Sequence, residues 1–390
     1  MRKALPILLA ALFLMADSPL SPEKRELFDL KRKKQSAETA KLKNSWISPI
    51  KLNASWQRNV NAGNFDGTTT SAGISLNQDI FRSGGIWYAV DYAKALGEAQ
   101  ALGIDIEEAR ELQRLYTLKA QYERDRLKLK QAKLRLENRR IDADVVKERY
   151  KAGEADISQL SRVMLQVDEA ENTRISLQNA LQTEKYELRK LYGDRSLAAL
   201  TLPDIPIVDR ENWLSKNLEL LRYRKQIESD KARYKAVRSS YMPKISVNGN
   251  YGYSRFRGGF QSYDGEEYGY GVRLSMPLDV NTFKDIEANK IAYLSTRLAE
   301  KDRKKELENE YESRLSAIEA YRKKIEVAKR MIKRYDELYR FTKAEFKAGT
   351  KTSYDVASLK NSLQIQRIEQ KIQRYNILLE KLALFFAMKR

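Results

Sequence analysis

Two periodicities divide the chain. In four short stretches apolar and polar residues alternate. Ile50, Leu52, Ala54 and Trp56 alternate with Lys51, Asn53, Ser55 and Gln57, and Ala72, Ile74, Leu76 and Ile80 share one face of a second stretch opposite Gly73, Ser75, Asn77 and Asp79. Further on, Ile245, Val247, Tyr251 and Tyr253 stand against Ser246, Asn248, Asn250 and Ser254, and Tyr268, Tyr270, Val272, Leu274 and Met276 against Gly269, Gly271, Arg273 and Ser275. Successive side chains of a strand point to opposite faces, so a period of two predicts four strands with one apolar and one polar face.

Elsewhere the spacing is three and four. Leu115, Leu118, Tyr122, Asp125, Leu129, Ala132, Leu136, Arg139, Ala143, Val146 and Tyr150 form a heptad seam. A second runs Leu160, Val163, Val167, Ala170, Arg174, Leu177, Leu181, Glu184, Leu188 and Leu191, and a third Ile365, Ile368, Ile372, Tyr375, Leu379, Leu382 and Phe386. A helix of roughly 65 residues would reach about 100 Å, longer than an ordinary globular domain needs.

The chain repeats itself at nearly constant offsets: Pro49 with Pro243 (194), Gly73 with Gly271 (198), and Tyr150–Gly153 with Phe346–Gly349 (196). Each half runs as a strand pair, a long helix, a Gly-containing turn and a returning helix. The expected organisation is a signal peptide over 1–16, an N-terminal helical segment over 17–45, a strand pair over 46–81, a helical hairpin over 82–193, a linker or collar over 194–209, a returning helix over 210–241, a strand pair over 242–279 and a second hairpin over 280–390. Pro203 and Pro206 break the helix at the linker, and the second half carries no second copy of this element within the sequence.

Amphipathic strands of about ten residues suit a sheet covered by protein on one side, or a membrane barrel with lipid outside and water inside. The barrel fits better: the helices have their own seams to bury, and Trp46, Trp56, Trp87, Tyr88, Tyr251, Tyr253, Tyr268 and Tyr270 lie at or near strand ends, as interfacial aromatics do. The polar loops Arg58 to Thr70 and Arg255 to Glu267 would then face outward. The smallest membrane barrels use about eight strands, and an open edge in lipid leaves backbone groups unpaired, so subunits must share one barrel.

Composition narrows the chemistry. The 390 residues contain no cysteine and no histidine, which excludes disulfides, lipid-modified cysteine, Cys or His metal sites and imidazole catalysis; no cofactor, metal or catalytic residue is expected. Charged residues make up 32%, with 17 Gly and 8 Pro, a balance suited to long charged helices. Lys and Arg (73) outnumber Asp and Glu (53), for a net charge of +20. That excess could attract nucleic acid or an anionic membrane, but the basic residues are interleaved with Glu, as over Lys301–Glu310, and no nucleic-acid partner is expected. Arg2 and Lys3 precede an apolar run over Ala4–Ala16 too short to span a bilayer, which reads as a secretory signal with its cut after Ala16 or Ser18.

Tyr241-Met-Pro243 opening a strand, Gly271 to Pro277 closing the next before a long helix, and Phe346 to Thr350 followed by Asp355-Val356 at a helical turn together resemble the outer membrane factor family, the TolC-like outer membrane efflux proteins. The resemblance covers roughly residues 25 to 390. It implies an α+β membrane protein: a duplicated β-hairpin with long antiparallel helical hairpins, three protomers sharing a 12-stranded β-barrel continued by an α-helical periplasmic tunnel. It further implies passive exit of drugs, metabolites or secreted polypeptides as the outer-membrane channel of a tripartite efflux or type I secretion system. The implied partners are two further copies in a homotrimer, outer-membrane lipid, a periplasmic adaptor (membrane fusion protein) and an inner-membrane RND, ABC or MFS transporter.

By the same resemblance, Ala152, Gly153 and Glu154, and Ala348, Gly349 and Thr350, are the turns that adaptor hairpins grip, while Gly153 and Gly349 also terminate helices by taking positive φ. Asp355 stands where an acidic ring narrows the pore, and equally as a first-turn carboxylate behind Thr352. Ser358 and Gln159 occupy positions where the family often has acids, and Phe346 and Lys351 positions where a Tyr and an Arg join the gate. Asp79 replaces the usual proline at the first barrel-to-helix junction, which Pro277 keeps in the second. A gate so thinned of acids, in a basic chain, is expected to be less cation-selective. An exported basic coiled-coil scaffold with a small soluble sheet is the alternative reading of the same patterns.

Overall fold

A computed structural model describes residues 18–61, 65–258 and 261–389. The leader expected over 1–16 and the loop positions 62–64 and 259–260 lie outside the described residues. The elements are α1 (Pro22–Lys43), β1 (Lys51–Asn61), β2 (Phe65–Phe81), α2 (Gly85–Lys151), α3 (Ile157–Tyr192), α4 (Arg210–Lys216), α5 (Leu218–Ser240), β3 (Lys244–Gly258), β4 (Ser262–Ser275), α6 (Thr282–Lys347) and α7 (Ser353–Phe386). The four alternating stretches lie within the four strands, and the heptad stretches lie in α2, α3 and α7; the strands also run through most of the expected loops Arg58 to Thr70 and Arg255 to Glu267, where Arg58 pairs with Thr68 and Arg255 with Asp264. No described helix is long and apolar enough to cross a membrane.

The chain divides into two units. The first, residues 30–104 and 219–304, holds the sheet: four antiparallel strands in the order β1-β2-β3-β4, with β1 and β4 at its edges. Beside it, Gly97 of α2 lets α1 approach closely, since a Cβ there would sit 2.5 Å from Thr39 Cγ2, and Gln35 Nε2 donates to the Gly97 carbonyl at 2.7 Å. Ala93, Ala99 and Ala232 are buried among these helices.

The second unit, residues 18–29, 105–218 and 305–389, is helical. Its core follows the heptads: Leu115, Leu136, Leu188, Ile368, Ile372 and Leu382 are buried, and Tyr116 stacks on Phe386 at 5.6 Å between ring centres. The stretch 194–209 is irregular, with Leu200 and Ile205 buried. One expectation is corrected here, because the returning helix over 210–241 is not continuous. Asn217 adopts an extended conformation (ψ 123°) and pairs with Met388; Leu218 N–H donates to the Ala387 carbonyl at 2.9 Å and Lys389 N–H to the Lys216 carbonyl at 2.7 Å, so α4 and α5 are separate helices. Trp213 of α4, 2% exposed, donates from Nε1 to the Leu384 carbonyl at 2.8 Å and ties this break to α7.

Candidate functional site

The sheet is the first of two separate candidate regions. Its register aligns like with like across all four strands. Leu52, Ile74, Tyr251 and Tyr268 form one cross-strand row, and Leu76 and Tyr270 flank Gly249 in another. On the opposite face Ser55, Ser71, Ser254 and Gly265 form a row, then Asn53, Gly73, Gly252 and Glu267, then Lys51, Ser75, Asn250 and Gly269. A one-residue slip would exchange the two faces, so this register is specified by every pair at once. The apolar face is bare: Leu52 is 81% exposed, Tyr270 89% and Val272 74%. Ser55 and Ser71 hydroxyls meet at 2.8 Å on the polar face.

Where strands meet helices, the two junctions are built differently. Asp79 lies at a β-bulge between Asp79 and Phe81 and accepts from Arg82 Nε at 2.8 Å, while Gln78 bonds Ser48 N–H (2.8 Å) and the Trp46 carbonyl (3.0 Å). The bulge and ion pair stand where the second junction has Pro277, which is exposed between β4 and α6. There Tyr241 OH donates to Asp285 at 2.5 Å, and that bond together with burial and the charges of Asp285 and Asp279 pushes its phenol up to about 12.

The two helical turns, in the helical unit, are the second candidate region. After α2, Gly153 N–H donates to the Tyr150 carbonyl at 3.0 Å and Glu154 N–H to the Arg149 carbonyl at 2.8 Å; after α6, Gly349 N–H reaches the Phe346 carbonyl at 3.1 Å and Thr350 N–H the Glu345 carbonyl at 3.0 Å. Both are Schellman turns closed by a left-handed glycine. Each is followed three residues on by an N-cap: Asp156 accepts from Gln159 N–H at 2.8 Å, and Thr352 forms a reciprocal capping box with Asp355 (2.9 and 3.3 Å). The Thr352 N–H and hydroxyl bonds hold Asp355 below the usual carboxylate range, with Lys351 adding a smaller push. Asp355 therefore caps its helix through Oδ2.

Phe346, Ala348, Gly349, Thr350, Lys351 and Asp355 are thus gathered in the second turn, and Ala152, Gly153, Glu154 and Gln159 in the first. Phe346 is half-exposed, and Lys351 and Gln159 point to solvent. Ser358 sits one turn up α7, where its carbonyl accepts from Asn138 Nδ2 of α2 at 3.4 Å.

That contact belongs to a polar ladder between α2 and α7 that sequence reasoning missed. Asn361 donates to Asn138 Oδ1 at 2.9 Å, Gln131 to Glu369 at 2.9 Å, Gln373 to Glu369 at 2.6 Å and Asn376 to Gln373 at 3.0 Å. Extending the α7 heptads back from Ile365 by four and then three reaches Asn361 and Ser358, so the signal was two polar residues at seam positions. Among the described residues no group of three or more His, Cys, Asp or Glu side chains gathers to hold a metal ion.

Residues 210–388 match the outer membrane efflux protein family. No curated protein matches. Among solved structures, a membrane protein from Pseudomonas aeruginosa is 15% identical over 93% of this chain and 90% of its own, with a TM-score of 0.74. The outer membrane protein VceC of Vibrio cholerae is 16% identical over 93% and 92% (TM-score 0.71), and the CmeC outer membrane channel of Campylobacter jejuni 13% identical over 95% and 84% (TM-score 0.74). At such identities the likeness establishes the fold, and residues 210–388 are similar to the outer membrane efflux proteins, a family of channels and not enzymes.

Proposed function

We propose that three copies of this chain share one twelve-stranded barrel in the outer membrane and continue it as a helical tunnel into the periplasm, the passive exit duct of a tripartite efflux or type I secretion system. The observation that carries the reading is the sheet: four strands in register, one face of exposed Leu, Ile, Val and Tyr, the other of Ser, Asn and Gly, with β1 and β4 left as edges. Lipid satisfies the first face and water the second. The edges need strands from other copies, because unpaired N–H and C=O groups in lipid cost several kcal/mol each.

In this reading Ala152–Glu154 and Ala348–Thr350 are the contacts for a periplasmic adaptor, which links the duct to an inner-membrane RND, ABC or MFS transporter that supplies the energy. Both turns support it by presenting glycine with open space around it: a Cβ at Gly153 or Gly349 would meet nothing within 4 Å. Asp355 lines the narrowing of the pore, with Ser358, Lys351 and Phe346 at the same turn, Gln159 at the matching place of the first turn, and fewer acids than the family's usual gate. The polar barrel wall is mostly Ser, Asn and Gly with a few scattered charges of both signs, Lys51, Asp79, Glu267 and Arg273, so the duct makes few specific contacts with what it passes.

Expression of the full chain with its leader, fractionation, and reconstitution of the detergent extract in planar bilayers tests the proposal. A detergent-dependent outer-membrane protein that conducts with weak cation preference is expected. A soluble periplasmic protein that forms no conductance would mean the sheet packs on protein, and strong cation selectivity would contradict the thinned gate.

A further inference from the structure

The heptad seams of α2 and α3 each carry acids where apolar residues belong, and the fold brings two of them face to face. Asp125 is only 8% exposed, and the antiparallel register of α2 and α3, fixed by the ion pairs Arg114–Glu187 at 3.0 Å and Arg140–Glu171 at 3.5 Å, brings Glu184 to its level on the facing helix. Asp125 Oδ1 accepts from Arg124 Nε and from Lys128 Nζ, both at 2.9 Å. Glu184 is served less well, since its Oε2 is buried and has no hydrogen-bond partner. Its seam neighbours Leu181 and Leu188 are apolar.

The charged groups that reach Glu184 are Asp125, Arg124 and Lys128, all from α2. From α7 the group facing this cluster is neutral, Asn376, whose Oδ1 accepts from Arg124 Nη1 at 3.5 Å. Glu123, the preceding residue, is occupied by Lys119 at 2.6 Å and Arg126 at 2.9 Å.

Two ionised carboxylates on facing helices at one level, with two cations bonded to only one of them, repel. A single proton removes the repulsion and supplies the missing donor. We propose that Asp125 and Glu184 share one proton across the α2–α3 seam, and that its loss loosens the first helical hairpin at this level, making the hairpin a pH-responsive element. The direction of each group agrees. Burial, with the Asp125 charge and hydrogen bond, pushes Glu184 up to about 7, against the smaller opposing pull of Arg124 and Lys128. Burial also raises Asp125, but the bonds and charges of Arg124 and Lys128 outweigh it and leave Asp125 lowered, so the proton resides on Glu184.

The sign follows from linkage. A carboxyl that binds its proton more tightly folded than unfolded makes stability fall as pH rises from its unfolded value, 4.5, to its folded one, about 7. The seam is therefore tightest in mild acid and loosest above neutrality. This holds for the hairpin whether or not the chain assembles as a channel, so its test is separate from that of the duct.

Infrared spectra of the full-length detergent-extracted protein, taken from about pH 6 to about pH 8, read the shared proton directly. A protonated-carboxyl carbonyl band that disappears over this range, and is absent from Glu184→Gln, is expected. Because the chain has no cysteine, spin labels at Lys133→Cys and Ser176→Cys, exposed positions on α2 and α3 about two turns from the acids, report the separation of the helices. That separation should broaden with rising pH in the wild-type background and stay fixed with Glu184→Gln or with the double variant Asp125→Asn/Glu184→Gln. A band unaffected by Glu184→Gln, no titrating band, or the same separation at both pH limits overturns the proposal.

Discussion

Gly153 and Gly349 hold the same backbone conformation, φ 75° and 80°, at the same place in two copies of one turn, each three residues ahead of an N-cap. Open space around both makes the requirement one of conformation, since a left-handed residue with a Cβ costs about 1–2 kcal/mol. Gly349→Ala and Gly153→Ala should each lower stability by about 1 kcal/mol, with Asn substitutions costing less because Asn tolerates αL. Thermal unfolding of the four variants checks this, and equal losses for Ala and Asn would argue against it.

The capping box at the second turn gives a different dependence. Asp355 is lowered by its bonds to Thr352, so its contribution is present above its unfolded value of 3.8 and is lost as pH falls through the lower folded value. Thr352→Ala should cost about 1 kcal/mol near neutral pH. Asp355→Asn should flatten the acid end of the stability profile, measured as the unfolding midpoint against pH.

Trp213 locks the break between α4 and α5 to α7. Trp213→Phe keeps most of the volume but leaves the buried Leu384 carbonyl without its donor, an expected loss of about 1–3 kcal/mol. Trp213→Ala adds a cavity and should cost about 3–5 kcal/mol. Denaturant midpoints separate the two, and near-equal losses would mean that the hydrogen bond contributes little beyond packing.

The faces of the sheet predict an asymmetry. Leu52→Arg or Val272→Arg places a charge on the apolar face and should cost about 2–4 kcal/mol of folding into a bilayer if these positions lie near its midplane. Ser71→Lys or Ser254→Lys, on the polar face, should leave assembly intact and shift ion selectivity toward anions. Assembly yield in lipid, followed by reversal potentials, compares them.

Much of this fold was legible because two periods were clean. Strict alternation from Ile50 to Trp56 and from Tyr268 to Met276 marked strands, and the register then aligned the polar set and the apolar set across all four. The glycine turns were legible because Gly153 and Gly349 recur at the repeat offset. Asn217 was not, because the break there depends on the distant pairing with Met388, and local propensity carries no trace of it. The polar ladder through Asn138 and Asn361 was also missed, since a heptad reading weighs apolar positions and passes over polar ones that find partners on another helix. Asp125 and Glu184 were visible as seam positions, but not as a facing pair, because register between α2 and α3 is set by tertiary packing.

Native mass spectrometry of the protein released from outer membranes by mild detergent reads whether the copies share one barrel. A detergent-dependent trimer of the processed chain, three copies each giving four strands, is expected. A monomer or dimer that is soluble without detergent would contradict it.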